Sequence, residues 1–267
     1  MNIAILGANG RMGQALLLSS QSLDKLKVSA AFVRGGSELI GQTVQALASA
    51  TQNTALTFSS LDSADPDTID VLIDFTLPDA LSGHLAFAKT HNIPIVIGTT
   101  GLEEQHKQQL NAAAQTLPIV FAANYSVGVT LMARLCQIAA RTLSGSADIE
   151  IIEAHHRHKR DAPSGTALAI GEAIAAELNW DLNDHAVYAR EGDMGERENN
   201  TIGFSTIRGG DIIGEHTALF ADIGERLEIT HKASSRETFA KGALRAALWL
   251  TNKSVGLYDM EDVLGLK

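Results

Sequence analysis

The sequence predicts an α/β fold with two parts: a first domain with a parallel sheet and a second α+β domain with a mostly antiparallel or mixed open sheet. Three observations support this prediction. Short apolar runs alternate with helical patterns up to about Asn124, a glycine-rich turn follows the first run, and three strand-like runs follow closely on one another later in the chain. Apolar strands that alternate with helices are typical of a parallel sheet covered on both faces.

The first half of the chain contains the clearer strand patterns. Helical patterns begin near Arg11, at Leu77-Pro78-Asp79 and at Glu103. Proline is favoured in the first turn of a helix, which supports the second of these starts. The strand patterns are Asn2–Gly7, Val28–Val33, Asp70–Thr76, Ile93–Thr100 and Pro118–Ala123, with a weaker one at Thr54–Phe58.

The second half has a different order of elements. Helical patterns cover Gly128–Leu143 and Thr166–Leu178, and the strand pattern Ile149–Ala154 lies between them. The polar stretch Asn183–Asn200 is predicted to be a mobile surface loop, and Arg236–Leu250 is predicted to be a helix that returns to the first domain. Turn residues separate the remaining strand patterns. These are Thr201–Arg208, Glu215–Ala221 and Arg226–Lys232.

These patterns predict two domains. Residues 1–125 and 236–267 form a dinucleotide-binding domain, and residues 126–235 form a domain for substrate binding and oligomerisation. A chain of 267 residues is long enough for two such cores.

Composition excludes several classes of protein. The formal net charge of −10 argues against broad nucleic-acid binding. No apolar run is long enough to span a bilayer, and the N-terminus lacks a basic leader. The single cysteine, Cys136, fits a reducing compartment. We therefore expect a cytoplasmic enzyme without a membrane or nucleic-acid partner.

A glycine-rich turn follows the first strand and opens the first helix. Its residues are Gly7-Ala8-Asn9-Gly10-Arg11-Met12-Gly13. Glycine permits a tight turn and lets backbone N–H groups approach a pyrophosphate at the helix N-terminus. Asn9 takes the place of a usual glycine, and asparagine tolerates left-handed backbone better than most residues. A plain strand–helix turn is the alternative, but the position at the start of a βαβ pattern favours a Rossmann-like, dinucleotide-binding domain.

The end of the second strand bears on the choice of cofactor. An acidic residue there would bind the ribose of NAD, but the chain has Val33 followed by Arg34. Valine cannot accept that hydrogen bond, whereas arginine can bind a 2′-phosphate. The sequence therefore favours NADPH and leaves NADH possible; the alternative is that Arg34 is a solvated loop residue.

Two further strand ends are candidates for contact with the nicotinamide. In parallel α/β sheets the carboxyl ends of strands line the ligand crevice. The two segments are Gly98-Thr99-Thr100-Gly101 and Ala122-Ala123-Asn124-Tyr125. The alternative, that both are ordinary strand–loop junctions without a ligand, explains them equally well.

A basic cluster, His155-His156-Arg157-His158-Lys159-Arg160, lies between a strand and the start of a helix. A metal site is disfavoured because no third ligand has suitable spacing and the neighbours are cationic. A nucleic-acid-binding patch is also disfavoured, because such basic runs usually occur without an adjoining strand and a helix cap such as Ser164. A pocket for a small carboxylate or phosphate uses the cations, the cap and the N–H groups of Gly165 and Thr166 together. Some of the six side chains must be solvated or pair with carboxylates such as Glu153 or Asp161.

These residues resemble the signature of the dihydrodipicolinate reductase family. The similarity covers essentially the whole chain, and its most specific part is the central motif. The matching segments are Gly7–Gly13, Gly98–Gly101, Phe121–Val129, Glu153–Lys159, Asp161–Ala167, Ile207–His216 and His231–Arg236.

The resemblance implies a 4-hydroxy-tetrahydrodipicolinate reductase of lysine and diaminopimelate biosynthesis, which reduces a cyclic dicarboxylate with NAD(P)H. It implies that His155 is the proton donor, that Lys159 is the second catalytic residue, and that His156, Gly165 and Thr166 bind substrate. It also implies a homotetramer built on the C-terminal sheet. The cofactor contacts it implies are Gly7, Ala8, Asn9, Gly10, Arg11, Met12, Arg34, Gly98, Thr99, Thr100, Ala122, Ala123, Asn124 and Tyr125.

The chemistry implied by the family needs a hydride donor and a proton donor. Loss of the ring hydroxyl gives a conjugated imine, which accepts hydride and leaves an enamine that needs a proton. The sequence does not decide whether His155 or Lys159 delivers that proton, or what Arg157, His158 and Arg160 do. Domain closure about Ser126–Gly128 and Ala233–Ser235 is expected. The alternative function is an NAD(P)-binding redox regulator without turnover, which has no need of the basic cluster.

Overall fold

The computed structural model describes residues 1–46 and 55–267, which form two units. The first unit comprises Met1–Val127 together with Arg236–Gly265 and Lys267. The second comprises Gly128–Ser235 and Leu266. Each unit has its own sheet and core, so each is described by itself.

The secondary structure of the described residues is as follows. The strands are β1 (Asn2–Leu6), β2 (Lys27–Phe32), β3 (Phe58–Ser59), β4 (Val71–Asp74), β5 (Ile95–Ile97), β6 (Pro118–Phe121), β7 (Asp148–His155), β8 (Ala186–Val187), β9 (Ile202–Arg208), β10 (Gly214–Asp222), β11 (Glu225–Ala233) and β12 (Gly256–Tyr258). The α-helices are α1 (Arg11–Ser20), α2 (Leu81–His91), α3 (Glu104–Ala113), α4 (Val127–Thr142), α5 (Gly165–Glu177), α6 (Leu182–His185), α7 (Glu237–Leu250) and α8 (Met260–Leu264).

A parallel sheet runs through the first unit in the order β12-β6-β5-β4-β1-β2-β3. Its central strands β1, β4 and β5 are almost entirely buried, because helices cover both faces. Residues of α1, α7 and α8 pack on one face, and residues of α2 and α3 pack on the other. The carboxyl ends of β1, β4, β5 and β6 therefore meet at one edge, where the predicted cofactor residues lie.

The fold class predicted from the sequence is confirmed, with shifts at the ends of elements. The strand predicted at Asp70–Thr76 is shorter, and a 3₁₀ turn at Pro78–Ala80 precedes α2. Thr54 of the weak strand pattern lies outside the described residues, and β3 begins at Phe58. The sequence patterns missed β12 and α8. No helix among the described residues is both long and apolar enough to cross a membrane.

The sheet of the second unit is mixed, with the order β11-β10-β7-β9-β8. The pairs of β10 with β7 and with β11 are antiparallel, whereas β7 pairs with β9, and β9 with β8, in parallel. The parallel pair of β7 with β9 has α5 between its strands in the chain, as a crossover connection, whereas β8 and β9 are joined by residues 188–201. Helices α4 and α5 pack on one face, through a core that includes Cys136, Ile151, Ile170, Ala218 and Phe220.

The segment predicted as a mobile surface loop, Asn183–Asn200, is partly regular and makes ordered contacts. Its start belongs to α6 and to the edge strand β8. Arg190 donates two hydrogen bonds of 2.9 Å to the carboxylate of Glu150. Arg197 pairs with both Glu150 and Asp148, at 3.1 and 2.9 Å. The polar composition of this segment thus reflects ion pairs with β7 as well as solvent exposure.

Candidate active site

The glycine turn after β1 is built for close approach of backbone to a ligand. Gly7 has φ +70°, and its carbonyl accepts from the N–H of Gly10 at 2.9 Å. A Cβ on Gly13 would overlap the backbone of Gly7 and Ala8, so glycine is needed there for α1 to pack against the turn. The expected left-handed backbone belongs to Gly7 and not to Asn9, which has no positive φ.

The predicted cofactor residues of this turn differ in accessibility. Ala8 is fully buried, whereas Asn9, Gly10 and Arg11 are exposed and Met12 is half-buried. The N-cap of α1 is Gly10, which offers no side-chain cap to the first turn. An exposed helix N-terminus of this kind attracts phosphate through its N–H groups and dipole.

The residues after β2 lie in contrasting environments. Val33 is only 5% exposed and packs into the core of the first unit. Arg34 is exposed in the loop that follows. The side chain at position 33 therefore faces the core, and the cation at position 34 is the accessible group at this strand end.

The ends of β5 and β6 are held together by Tyr125. Its hydroxyl shares its single hydrogen between the carbonyls of Ile97 and Val120, at 2.9 and 3.1 Å, and the residue is 1% exposed. The buried Tyr125 side chain thus joins two strands and is itself inaccessible to a ligand. Ala122 and Asn124 are half-buried and Ala123 is exposed.

At the end of β5, a Cβ on Gly98 would overlap the ring of Phe75. Thr99 is 1% exposed, and its hydroxyl has no hydrogen-bond partner among the described residues. A buried polar atom of this kind calls for an explanation, and a ligand at the strand end is one. Thr100, the next residue, is exposed.

A buried network at the end of β4 was missed from the sequence. Asp74 is completely buried and accepts from the backbone N–H and the hydroxyl of Thr76, at 2.9 and 2.6 Å. It also bonds Nδ1 of His84 at 2.7 Å. The methyl of Thr76 packs against Gly7, so the network braces the glycine turn. The sequence feature that could have indicated this network is Asp74 itself, an aspartate at the end of an apolar strand.

In the second unit, His155 ends β7 as a buried imidazole. Its Nδ1 lies 2.6 Å from Oε2 of Glu153, and its ring centroid lies 5.1 Å from that of His216. Burial lowers the pKa of His155, and the hydrogen bond and charge of Glu153 oppose that shift without cancelling it. His155 thus has the buried setting and the carboxylate partner of a histidine that transfers protons.

The start of α5 lies beside this imidazole. The Ser164 hydroxyl accepts from the N–H of Ala167 at 3.1 Å and bonds Nε2 of His216 at 2.9 Å. The predicted substrate residues Gly165 and Thr166 form the first turn of α5, at the positive end of its dipole. Ser164 is thus the N-cap that the sequence predicts, and the partner from β10 was not foreseen.

A tight turn carries the rest of the basic cluster. The N–H of Lys159 donates to the carbonyl of His156 at 3.1 Å, and both side chains are half-buried. Lys159 Nζ pairs with Asp161 at 2.9 Å, and this hydrogen bond lowers the pKa of Asp161. Arg157, His158 and Arg160 are exposed.

The structure therefore brings His155, Lys159 and the start of α5 together in the second unit, and groups the predicted cofactor residues at the strand ends of the first unit. No group of three or more histidine, cysteine, aspartate or glutamate side chains in the described parts of the chain is arranged to hold a metal ion.

Comparisons with known proteins give consistent matches. Residues 1–125 match the family model described as "Dihydrodipicolinate reductase, N-terminus", and residues 128–264 match "Dihydrodipicolinate reductase, C-terminus". The chain is 60% identical over 264 residues to a 4-hydroxy-tetrahydrodipicolinate reductase from Pseudoalteromonas atlantica, covering 99% of this chain and 98% of that protein.

Solved structures share the fold. Dipicolinate-bound dihydrodipicolinate reductase from Paenisporosarcina sp. TG-14 superposes with a TM-score of 0.76 at 24% identity, over 97% of each chain. A probable dehydrogenase from Thermotoga maritima has a TM-score of 0.64 at 7% identity, over 98% of this chain and 92% of that one.

Proposed function

The chain belongs to the dihydrodipicolinate reductase family, and we propose that it reduces 4-hydroxy-tetrahydrodipicolinate to tetrahydrodipicolinate and water with NAD(P)H, in lysine and diaminopimelate biosynthesis. The observation that carries this proposal is the arrangement around His155. A buried imidazole with a carboxylate partner, a half-buried Lys159 and the N-terminus of α5 lie together. This combination suits a dianionic ring that needs both an anion site and a proton.

The residues of the first unit fit a dinucleotide. Two observations support cofactor binding at the strand ends: the close approach that Gly13 and Gly7 permit, and the Thr99 hydroxyl, for which residues 1–46 and 55–267 supply no hydrogen-bond partner. We propose that the turn Gly7–Met12, Arg34, Gly98–Thr100 and the backbone of Ala122–Tyr125 hold NAD(P)H. When bound, the cofactor supplies the hydride.

We further propose that NADPH is preferred over NADH. Val33 faces the core and brings no carboxylate to a ribose, and the exposed Arg34 is the group suited to a 2′-phosphate. Arg34→Ala is expected to lower kcat/KM with NADPH by about 10-fold to 100-fold, because a charge-assisted hydrogen bond is lost, and to leave kcat/KM with NADH nearly unchanged.

Steady-state kinetics with both cofactors measure this preference. Lys27→Ala is the matched control, since Lys27 is an exposed cation at the opposite end of β2. Equal losses with NADPH and NADH in Arg34→Ala would contradict the assignment of Arg34 to the 2′-phosphate.

In the proposed reaction His155, as imidazolium, donates a proton from Nε2 to the reduced ring, while Nδ1 stays bonded to Glu153. Lys159 and His156 bind the substrate carboxylates together with the N–H groups of Gly165 and Thr166. A positioned acid contributes about 10²–10⁴-fold to such a step. Burial of His155 limits exchange of its proton with solvent.

The proposed function is tested by following NADPH oxidation with freshly generated substrate. We expect turnover that pyridine-2,6-dicarboxylate, a planar mimic of the ring, inhibits competitively with substrate. Binding of NADPH without any turnover would instead support a regulatory redox sensor. Turnover that is insensitive to the dicarboxylate would point to another substrate.

We propose separate roles for the two units: residues 1–125 and 236–267 bind the dinucleotide, and residues 126–235 bind the substrate and form the oligomer. A homotetramer is proposed on the sheet of the second unit. Its support is the edge strand β11, which follows a turn with Ile223 fully exposed and which carries Leu227 at 44% exposure. A cytoplasmic location remains a prediction from the sequence.

A further inference from the structure

Glu153 is the most enclosed charged group beside the proposed proton donor. The residue is 1% exposed and accepts hydrogen bonds on both carboxylate oxygens. Oε2 lies 2.6 Å from Nδ1 of His155 and 2.7 Å from Arg208. Oε1 accepts from Arg208 at 2.8 Å and from the backbone N–H of Ser164 at 3.0 Å. One carboxylate therefore touches both the imidazole and the helix cap.

These contacts keep Glu153 ionised. Burial alone would raise its pKa, but the hydrogen bonds from Arg208, His155 and Ser164 outweigh burial and hold the pKa below its ordinary value. A carboxylate only accepts hydrogen bonds, so Nδ1 of His155 must carry the proton that it donates. The other ring nitrogen, Nε2, is then the atom that gains and loses a proton.

The surroundings of Nε2 agree with this assignment. A Cβ on Gly214 would lie 3.1 Å from Nε2, so glycine at this position keeps that side of the ring open. A rotated ring would direct Nδ1 away from Glu153 and leave a buried carboxylate oxygen with one fewer donor, which is costly. The carboxylate thus fixes both the tautomer and the orientation of His155.

Arg208 is the cationic partner of Glu153. Its two terminal nitrogens bind both oxygens of Glu153, and one also donates to the carbonyl of Asp161 at 2.6 Å. The guanidinium partly neutralises the negative charge of Glu153, and its own positive charge repels the imidazolium form of His155. Lys159, on the following turn, opposes protonation of His155 in the same way.

The remaining titratable groups near His155 are histidines of the neighbouring strands. His216 on β10 is 4% exposed, and burial lowers its pKa to about 4, so it is neutral near neutral pH. His231 on β11 pairs in register with His216, and burial lowers its pKa as well. Glu153 is therefore the fixed charge bonded directly to His155, and Arg208 is the fixed charge bonded to Glu153.

We propose that Glu153 is the positioning residue that holds His155 as the Nδ1–H tautomer, and that Arg208 sets the proton affinity of His155 by sharing the charge of Glu153. The catalytic consequence of this proposal rests on the role of His155 under the proposed function. The tautomer and the proton affinity do not depend on that role and are measured separately.

The test measures the tautomer and the titration of His155 by NMR on the full chain with ¹⁵N-labelled histidine. The resonance is assigned by its loss in His155→Gln. We expect wild-type His155 to be the Nδ1–H tautomer when neutral. Glu153→Gln is expected to lower the pKa of His155, because its raising partner is gone, and Arg208→Gln is expected to raise it, because Glu153 then acts on His155 alone.

Two further variants serve as controls. Arg208→Lys keeps the positive charge and is expected to hold the pKa of His155 closer to wild type than Arg208→Gln does. Thr206→Val removes a long, 3.4 Å hydrogen bond to Oε1 of Glu153 and is expected to leave the pKa of His155 unchanged. A role limited to folding would lower stability in Glu153→Gln and Arg208→Gln without moving the pKa in opposite directions.

The outcomes distinguish a failure of the positioning role of Glu153 from a failure of the proposed function. If wild-type His155 is the Nε2–H tautomer, or if the pKa moves in the same direction in both variants, the positioning role is wrong. The wild-type tautomer and the Arg208 variants decide this even if Glu153→Gln does not fold. With positioning confirmed, kcat of Glu153→Gln is expected to fall about 10²-fold with KM little changed. Unchanged kcat in both Glu153→Gln and His155→Gln would instead remove His155 from the proposed reaction.

Discussion

His155→Gln is expected to lower kcat by about 10²–10⁴-fold while the Kd for NADPH changes little. Glutamine keeps a polar side chain that can bond Glu153, but it cannot deliver a proton. The residues proposed to bind the cofactor belong to the other unit, so we expect cofactor binding to be unaffected. Single-turnover rates and fluorescence titration with NADPH measure the two quantities separately. His158→Gln is the matched control, because His158 is an exposed histidine of the same cluster.

The pH dependence of kcat/KM provides a second measure of this prediction. In the proposed reaction the acid form of His155 is the reactive one, and burial lowers the pKa of His155 below the ordinary value even though Glu153 opposes this shift. The protonated fraction decreases as pH rises through that pKa, so kcat/KM is expected to fall on the alkaline side. His155→Gln should lose this limb of the profile. A limb that persists in the variant would assign the proton to Lys159 instead.

Gly242→Ala is expected to lower the free energy of unfolding by about 3 kcal/mol, at the upper end of the usual cost of overpacking. Gly242 lies within α7, and a Cβ there would overlap the carbonyl oxygen of Tyr125. Tyr125 in turn bonds the carbonyls of Ile97 and Val120, so its backbone has little freedom to retreat. Denaturant titration followed by circular dichroism measures the loss.

The control for this substitution is Gly83→Ala in α2. Gly83 is also helical, and outside its own stretch of α2 no atom in the described parts of the chain would lie within 4 Å of a Cβ there. Alanine is favoured over glycine in a helix interior by about 1 kcal/mol, so Gly83→Ala is expected to stabilise the chain by up to that amount. Equal changes in the free energy of unfolding for the two substitutions would show that the packing of Gly242 on Tyr125 contributes little to stability.

Much of the first unit could be predicted because its strands are buried on both faces. Such strands are continuous apolar runs, as in Asn2–Leu6, and the pattern is visible without knowledge of their partners. The strand β12 has only three residues, and none of them is fully buried. It forms because Gly256 pairs with Pro118, far away in the chain, which no local pattern indicates.

The candidate site likewise has a part that could be predicted from the sequence and a part that could not. The basic cluster and the Ser164 cap lie within ten residues of sequence, so their proximity could be predicted. Arg208 and His216 come from β9 and β10, and only the register of the sheet brings them to Glu153 and Ser164. Parallel pairing sets His155 opposite Arg208, and a slip of one residue would turn Arg208 to the other face.

The return of α7 to the first sheet has a consequence for the order of synthesis. Ala240, Ala243 and Leu244 complete a core that begins with Ile3 and Ile5. At about 5–20 residues per second, roughly 6 to 25 seconds separate the translation of Val127 from that of Leu250. During that time this face of the sheet has α1 but lacks α7 and α8, while the second unit is being synthesised. The apolar residues of the sheet that α7 covers therefore stay exposed until most of the chain is made, and the core of the first unit is completed after the second unit has been synthesised.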